Sequence, residues 1–417
     1  MKYSYRLEDI LTSIKSAGKY FVFLHLAVIS LTPITLHAQS YKKIHRQAIL
    51  VDSHNDILMR AVDLGTVFDK DLAGTTHSDL ARLKKGGLDV QIFSVFCEGN
   101  QSNPYAYANR AMDSLDAVAK RNPDIIVEVK SYDQLMAVVK QPKIAALLGV
   151  EGGHMIENDL TKLEALYNRG TRYLTLTHNI SPSWATSAAD ETNSNPVIGN
   201  GLNSEGKRGL TAFGKQVVEK MNQLGMMVDV SHVGEQTFWD VIQLTTKPII
   251  ASHSSVYNLT PHRRNLKDDQ IKAIANNGGV IQINFNPGFI DSSFDKKEMK
   301  FIKEHAAEND SLMKTGMNDF YALDYLYHKY QEEAKHFRPP LSKLIDHIDY
   351  VAKLVGVDYV GIGSDFDGIN VTPLQLNEVS DYPLITKELA KRGYNKKDIA
   401  KILGGNILRV LKANENK

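Results

Sequence analysis

Val51-Asp52-Ser53-His54-Asn55-Asp56 follows a short apolar run, Ala48-Ile49-Leu50-Val51, and reads as the end of a β-strand passing into a loop. An open doubly wound sheet places a glycine-rich phosphate turn after its first strand. Here the first strand runs into His-Asn-Asp instead. The other glycine-bearing strand end, Gly361-Ile362-Gly363-Ser364-Asp365-Phe366, lacks the third glycine of a dinucleotide fingerprint. Working outward, short apolar runs recur at Ile49–Ser53, Val90–Phe96, Ile144–Val150, Tyr173–Thr177, Met226–Ser231, Pro248–Ser252, Val280–Asn284 and Tyr359–Gly363. Between them lie stretches with apolar residues at three- and four-residue spacing, among them Asp159–Arg169, Thr211–Leu224, Lys267–Asn276 and Lys343–Val355. Gly170, Gly225 and Gly356 stand where left-handed C-caps belong. Strand and helix alternating eight times predict an α/β chain built as a TIM-like (β/α)8 barrel.

Two stretches break the rhythm. Ser181–Arg208 is polar and reads as a long loop near the barrel mouth. Residues 291–340, after the seventh strand, form a helical insertion with the aromatic set Phe320, Tyr321, Tyr325, Tyr327 and Tyr330. Their spacing puts several on one helical face, which either packs the insertion onto the barrel or serves as a lid or subunit contact.

A barrel of this kind carries its chemistry at the C-terminal ends of its strands. His54 and Asp56 lie two apart and share a face. Taken alone, such a pair is equally a capping arrangement, but the pattern recurs as Glu151-Gly152-Gly153-His154, Thr177-His178-Asn179, Asp229-Val230-Ser231-His232, Ser252-His253-Ser254 and Asp365-Phe366-Asp367-Gly368. Six strands ending in costly polar groups at one face argue for a metal site. Four terminal ligands (His54, Asp56, His232, His253) and a bridging Glu151 suit two ions. Ions about 3.5–4 Å apart hold a water between them and make hydroxide available at neutral pH. Nitrogen-rich ligation points to two Zn2+, with Mn2+ or Co2+ as substitutes. Asp365 is left over to carry a proton, and His178 can donate to a developing oxyanion. Arg264 can clamp a carboxylate or stand as an exposed arginine near a helix start. His154 and Asp367, beside ligands, and Asp52 and Asp229, inside strands, are candidates to support the ligands.

With 417 residues, 43% hydrophobic and 23% charged, the chain can bury a large core. A net charge of +1 offers no electrostatic case for nucleic acid. The single cysteine, Cys97, excludes an intrachain disulfide and reads as a buried thiol. Lys15 and Lys19 precede an apolar run from Tyr20 to Leu36, and Ala38 offers a cleavage point. The expectation is a signal peptide over 1–38 and an exported (periplasmic or secreted) single-domain mature chain over 39–417. The alternative is a retained N-terminal membrane anchor; no cysteine follows the run to carry a bacterial-type lipid.

Taken together, Asp52-Ser-His-Asn-Asp56, Glu151-Gly-Gly153, Leu176-Thr-His-Asn179, Asp229-Val-Ser-His232, Ser252-His-Ser254, Pro261-His-Arg-Arg-Asn265, Gly361-Ile-Gly-Ser-Asp-Phe-Asp-Gly368 and Leu403-Gly-Gly-Asn406 resemble the renal (membrane) dipeptidases, which are dizinc (β/α)8 metallopeptidases. The resemblance implies His54 and Asp56 on one zinc, His232 and His253 on the other, and Glu151 bridging. It implies His178 and Arg264 as substrate-binding residues and Asp365 as the catalytic acid/base. It also implies dipeptides as substrates, often with a D-residue second, with β-lactam opening in some members. A homodimer is an open expectation. The insertion and the single cysteine depart from the mammalian members, which carry disulfides. A competing reading is another binuclear amidohydrolase, a deacetylase or lactonase. Many of those bridge their metals with a carboxylated lysine, and no lysine ends a strand here. A non-catalytic metal-binding protein is the third reading.

Overall fold

The computed structural model describes residues 41–192 and 201–416. The expected signal peptide and part of the Ser181–Arg208 loop lie outside the described residues. Among those described, nine parallel strands form one sheet: β1 (Val51–Asn55), β2 (Val90–Phe96), β3 (Ile126–Glu128), β4 (Ile144–Glu151), β5 (Thr171–Thr175), β6 (Met227–Asp229), β7 (Ile250–Ala251), β8 (Val280–Ile283) and β9 (Val360–Ile362). Eight run in the order β1-β2-β4-β5-β6-β7-β8-β9. The ring meets through a parallel bridge between Asn55 and Phe366, with Asp56 N–H donating to Phe366 O at 2.9 Å. The eight-stranded barrel read from the sequence is present.

The ninth strand is a correction to that reading. β3 pairs with the first three residues of β4, Ile144 to Ala146, on the flank that β5 takes over from Leu148 onward. Three residues are too few to show a period of two, and only β4 makes them a strand. The fourth expected strand starts two residues earlier, at Thr171, and the sixth shrinks to Ile250–Ala251.

The expected helices form with the caps their sequences carry. Thr211 accepts from Gly214 N–H ahead of Ala212–Leu224, and Gly225 ends that helix in the left-handed region at φ 82°. Asp159 caps Leu160–Arg169 through Thr161 N–H. Gly170 and Gly356 also have positive φ, although outside the left-handed helical well. The barrel floor is closed by the last helix, Asn406–Asn414, whose Ile407, Val410 and Leu411 pack among Val51, Val90 and Val280. Asn406 fastens it by donating to Val357 O and Val360 O at 2.7 and 2.8 Å.

The insertion follows β8, the seventh barrel strand, and contains Phe294–Glu304, Ala306–Lys314, Asp319–Lys329 and Gln331–Ala334. It has its own small core of Phe294, Phe301, Leu326, Tyr327 and Phe337. The aromatic set does not share one face. Tyr327 stacks on Phe301 inside the insertion, with Tyr330 edge-on to the same ring. Phe320 and Tyr321 instead join Met59 and Phe96 at the barrel mouth, and Tyr325 is 47% exposed. A buried Arg60–Asp324 pair at 2.9 Å ties the insertion to the helix Ile57–Leu64 that follows β1.

Candidate active site

The strand ends converge as their sequence pattern implied. His54 Nε2 lies 3.4 Å from both Asp56 Oδ2 and Glu151 Oε2. His232 Nε2 and His253 Nε2 approach Glu151 Oε1 at 2.9 and 3.1 Å and each other at 3.0 Å. Donor atoms of three sets lie within 4.8 Å of one another: His54, Glu151 and His253; Glu151, His178 and His232; His54, Asp56 and Asp365. Glu151 links the first set to the second, and His54 links the first to the third.

The surroundings orient two of the imidazoles, His54 and His253, with Nε2 toward the cluster. Tyr173 Oη donates to Ser53 O, so it accepts from His54 Nδ1 at 2.8 Å and leaves His54 Nε2 facing the cluster. Ser252 Oγ donates to Asp229 Oδ2, so it accepts from His253 Nδ1, also at 2.8 Å. Asp229 further receives Ser231 N–H, Ser252 N–H and the Thr175 hydroxyl. Asp52 accepts from Ser364 and from the Tyr382 hydroxyl. These two strand aspartates therefore support the site, as their positions suggested. Asp367 meets Arg60 and His77 N–H, while His154 bonds the Cys97 carbonyl. Tyr173 was missed as a site residue. The available signal is Gly149 on the neighbouring strand, where a Cβ would come within 2.0 Å of the Tyr173 ring.

Charge and burial test whether these residues fit a cation. His54 Nε2 and both Asp56 oxygens are buried without a hydrogen-bond partner. Burial holds His232 and His253 well below the ordinary imidazole range, so both are neutral at neutral pH. Their two Nε2 atoms, 3.0 Å apart, both face one oxygen of Glu151, an arrangement a cation would bind to in place of the imidazole proton. Burial opposes a charge on His54, yet Tyr173, Asp56 and Glu151 outweigh it and raise its pKa well above normal. The pocket therefore draws in positive charge, and its N/O donor set suits a divalent transition metal.

Three residues at the site adopt left-handed backbone: His232 (φ 66°), Asp365 (φ 63°) and Asp367 (φ 67°). Non-glycine residues rarely do so except where the surroundings impose it. A cavity of about 1280 Å3 opens over the cluster, lined by Asp56, Glu151, His178, His232, Arg264 and Asp365. Burial pushes Asp365 up to about 8; nearby Asp56 and Glu151 reinforce the rise, against His54 and the 2.8 Å bond from Asn284. Burial lowers His178 to about 4, which leaves it neutral. Arg264 is 5% exposed, donates one bond to His253 O and retains a buried Nε without a partner. It is not the exposed arginine that the sequence also allowed.

The family model described as membrane dipeptidase (peptidase family M19) matches residues 38–417. The chain belongs to this family. It is a metallodipeptidase, a hydrolase. The dipeptidase is 34% identical over 400 residues to an uncharacterised dipeptidase of Schizosaccharomyces pombe, covering 91% of this chain and 84% of the relative. Among solved structures, a probable dipeptidase from Pseudomonas aeruginosa superposes with a TM-score of 0.74 at 24% identity, covering 91% of this chain and 98% of that one. A metallopeptidase from Rhodobacter sphaeroides, liganded with a phosphinate mimic of L-Ala-D-Ala, gives a TM-score of 0.70 at 21% identity over 88% and 100% of the two chains. These two likenesses place the dipeptidase on the same barrel fold.

Proposed function

We propose that this dipeptidase hydrolyses dipeptides, including those with a D-residue second, and holds two Zn2+ through His54, Asp56, His232 and His253 with Glu151 bridging. The observation that carries the reading is the convergence of three imidazole Nε2 atoms on the two oxygens of buried Glu151. Two divalent ions bound there would supply a water-derived nucleophile at neutral pH and polarise the scissile carbonyl.

The remaining steps fall to the chain's own side chains. Asp365, whose carboxyl titrates near neutrality and opens onto the cavity, accepts the proton of the attacking water and returns it to the leaving amine. Neutral His178 donates a hydrogen bond to the oxygen on which negative charge develops. Arg264 keeps its charge, because burial lowers it only to about 10, and holds the substrate's free carboxylate. The ligand in the Rhodobacter sphaeroides structure supports a D-residue in second position.

This reading expects zinc-reconstituted enzyme to release free amino acids from L-Ala-L-Ala and L-Ala-D-Ala and to lose that activity in chelator. Amidating the dipeptide C-terminus or adding a third residue should lower kcat/KM by roughly ten- to a hundredfold. Equal cleavage of dipeptides, amides and tripeptides removes the carboxylate clamp from the reading. We also read residues 1–38 as a cleaved export signal, which N-terminal sequencing of the mature protein tests.

A further inference from the structure

We propose that Glu98 selects dipeptides whose first residue carries a cationic side chain of the lysine or arginine type. This deepens the dipeptidase reading above and rests on it. Glu98 stands just past β2, the barrel strand whose charged end group the reaction leaves idle. It lines the same cavity as Glu151, and its carboxylate has no hydrogen-bond or ion-pair partner among the described residues.

Register places the charge. Phe96 pairs with Glu151, so Glu98 begins two residues beyond the level of Glu151. At the usual strand rise that is up to roughly 6–7 Å nearer the mouth. The α-ammonium of a dipeptide sits on the carbon next to the scissile carbonyl, and so near Glu151 and Asp365. A lysine ammonium at the end of its four-carbon stem reaches about 6 Å farther, given carbon–carbon bonds of about 1.5 Å. The side-chain charge matches Glu98; the α-ammonium does not.

The walls between fit such a stem. Met59, Phe96 and Tyr321 form an apolar cluster at the mouth, suited to aliphatic carbons with a charged tip beyond them. Asp63, on the same cavity wall, accepts from Tyr107 and Tyr321 hydroxyls at 2.9 and 3.0 Å and adds negative charge there. Arg60, a cation on this wall, is matched by Asp324 and Asp367 at 2.9 and 3.5 Å. Glu98 is exposed at the mouth; partial desolvation and the field of Glu151 raise its carboxyl, and a substrate cation would lower it again.

The ring also sets direction. β2 and β7 stand four places apart among eight barrel strands and so face one another across the mouth. Arg264 follows β7 and bonds the carbonyl of His253. A substrate with its carboxylate on Arg264 and its scissile bond over Glu151 therefore extends its first residue toward Glu98.

The test compares kcat/KM of zinc-reconstituted enzyme for Lys-Ala, norleucine-Ala, Glu-Ala and Ala-Ala. Norleucine keeps the stem and lacks the ammonium. The expected result is Lys-Ala preferred over norleucine-Ala by about fivefold or more, a ratio that falls with added salt, and Glu-Ala the poorest. Glu98→Gln should bring the lysine-to-norleucine ratio to about one, and Glu98→Lys should favour Glu-Ala. A ratio near one in wild type overturns the proposal. So does a Glu98→Gln enzyme that keeps the ratio while all four substrates weaken alike, since that marks an α-ammonium site. Failure to cleave Ala-Ala at all would instead sink the dipeptidase reading beneath it.

Discussion

Asp56 occupies the N-cap of the helix Ile57–Leu64, yet its side chain bonds no amide of that helix. A capping aspartate ordinarily stabilises by about 1 kcal/mol. Leaving this one free sets its carboxylate toward His54. Asp365 has the opposite character, with one oxygen held by Asn284 and a pKa near 8. Asp365→Asn should retain folding and metal content by elemental analysis while kcat falls about a hundredfold. Activity within a few-fold of wild type removes Asp365 from the proton path. Far from the site, Asp89 precedes β2 and accepts from Leu50 N–H at 2.8 Å, but burial raises its carboxyl to about 6. Between pH 4 and 6 the folded state binds this proton and the unfolded state releases it, so its contribution falls as pH rises through that window and is flat above it. Asp89→Asn should remove that slope and gain relative stability above pH 6, read by denaturant unfolding at pH 4.5 and 7.5. Parallel pH dependence in both proteins counts against it.

At the scale of elements, the insertion and the helix after β1 act as one wall. Arg60 is 3% exposed and joins Asp324 on the helix Asp319–Lys329, with its guanidinium 5.5 Å from the Tyr321 ring. Removing one partner of a buried pair leaves a charge without compensation. Asp324→Ala should therefore destabilise by about 2–4 kcal/mol, seen as a lower Tm, with Asp367 still holding part of the charge. An unchanged Tm would mean water or Asp367 suffices. The strands show a second coupling. Gly149 on β4 makes room for Tyr173 on β5, whose hydroxyl orients His54 on β1. Gly149→Ala should push the ring away and lower metal content along with stability, whereas the same change at Gly74, which has open space but φ 78°, should cost some stability and leave metal content unchanged.

For the whole molecule, burying Asp56 and Glu151 among four imidazoles makes the folded state a cation site. Metal binding to the folded chain alone adds stability by mass action. Chelation should lower Tm by several degrees, and zinc should restore it; a Tm indifferent to both would detach the cluster from metal. Much of this was legible in the sequence. Each barrel strand is a local apolar run, and His54, Glu151, His232, His253 and Asp365 each follow one, so neighbouring residues alone announce them. What lay beyond the sequence involves distant partners. β3 exists because β4 pairs with it. Tyr173 finds His54 across 119 positions, Arg60 finds Asp324 across 264, and Tyr382 finds Asp52 across 330. No local period marks such pairs. The sequence by itself determined the alternation, the strand-end chemistry and the place of the insertion after β8. The tertiary structure alone decided how the ring meets, which hydroxyl orients each imidazole, and where the insertion walls the mouth. Those choices depend on which side chains closure of the barrel brings within hydrogen-bonding distance.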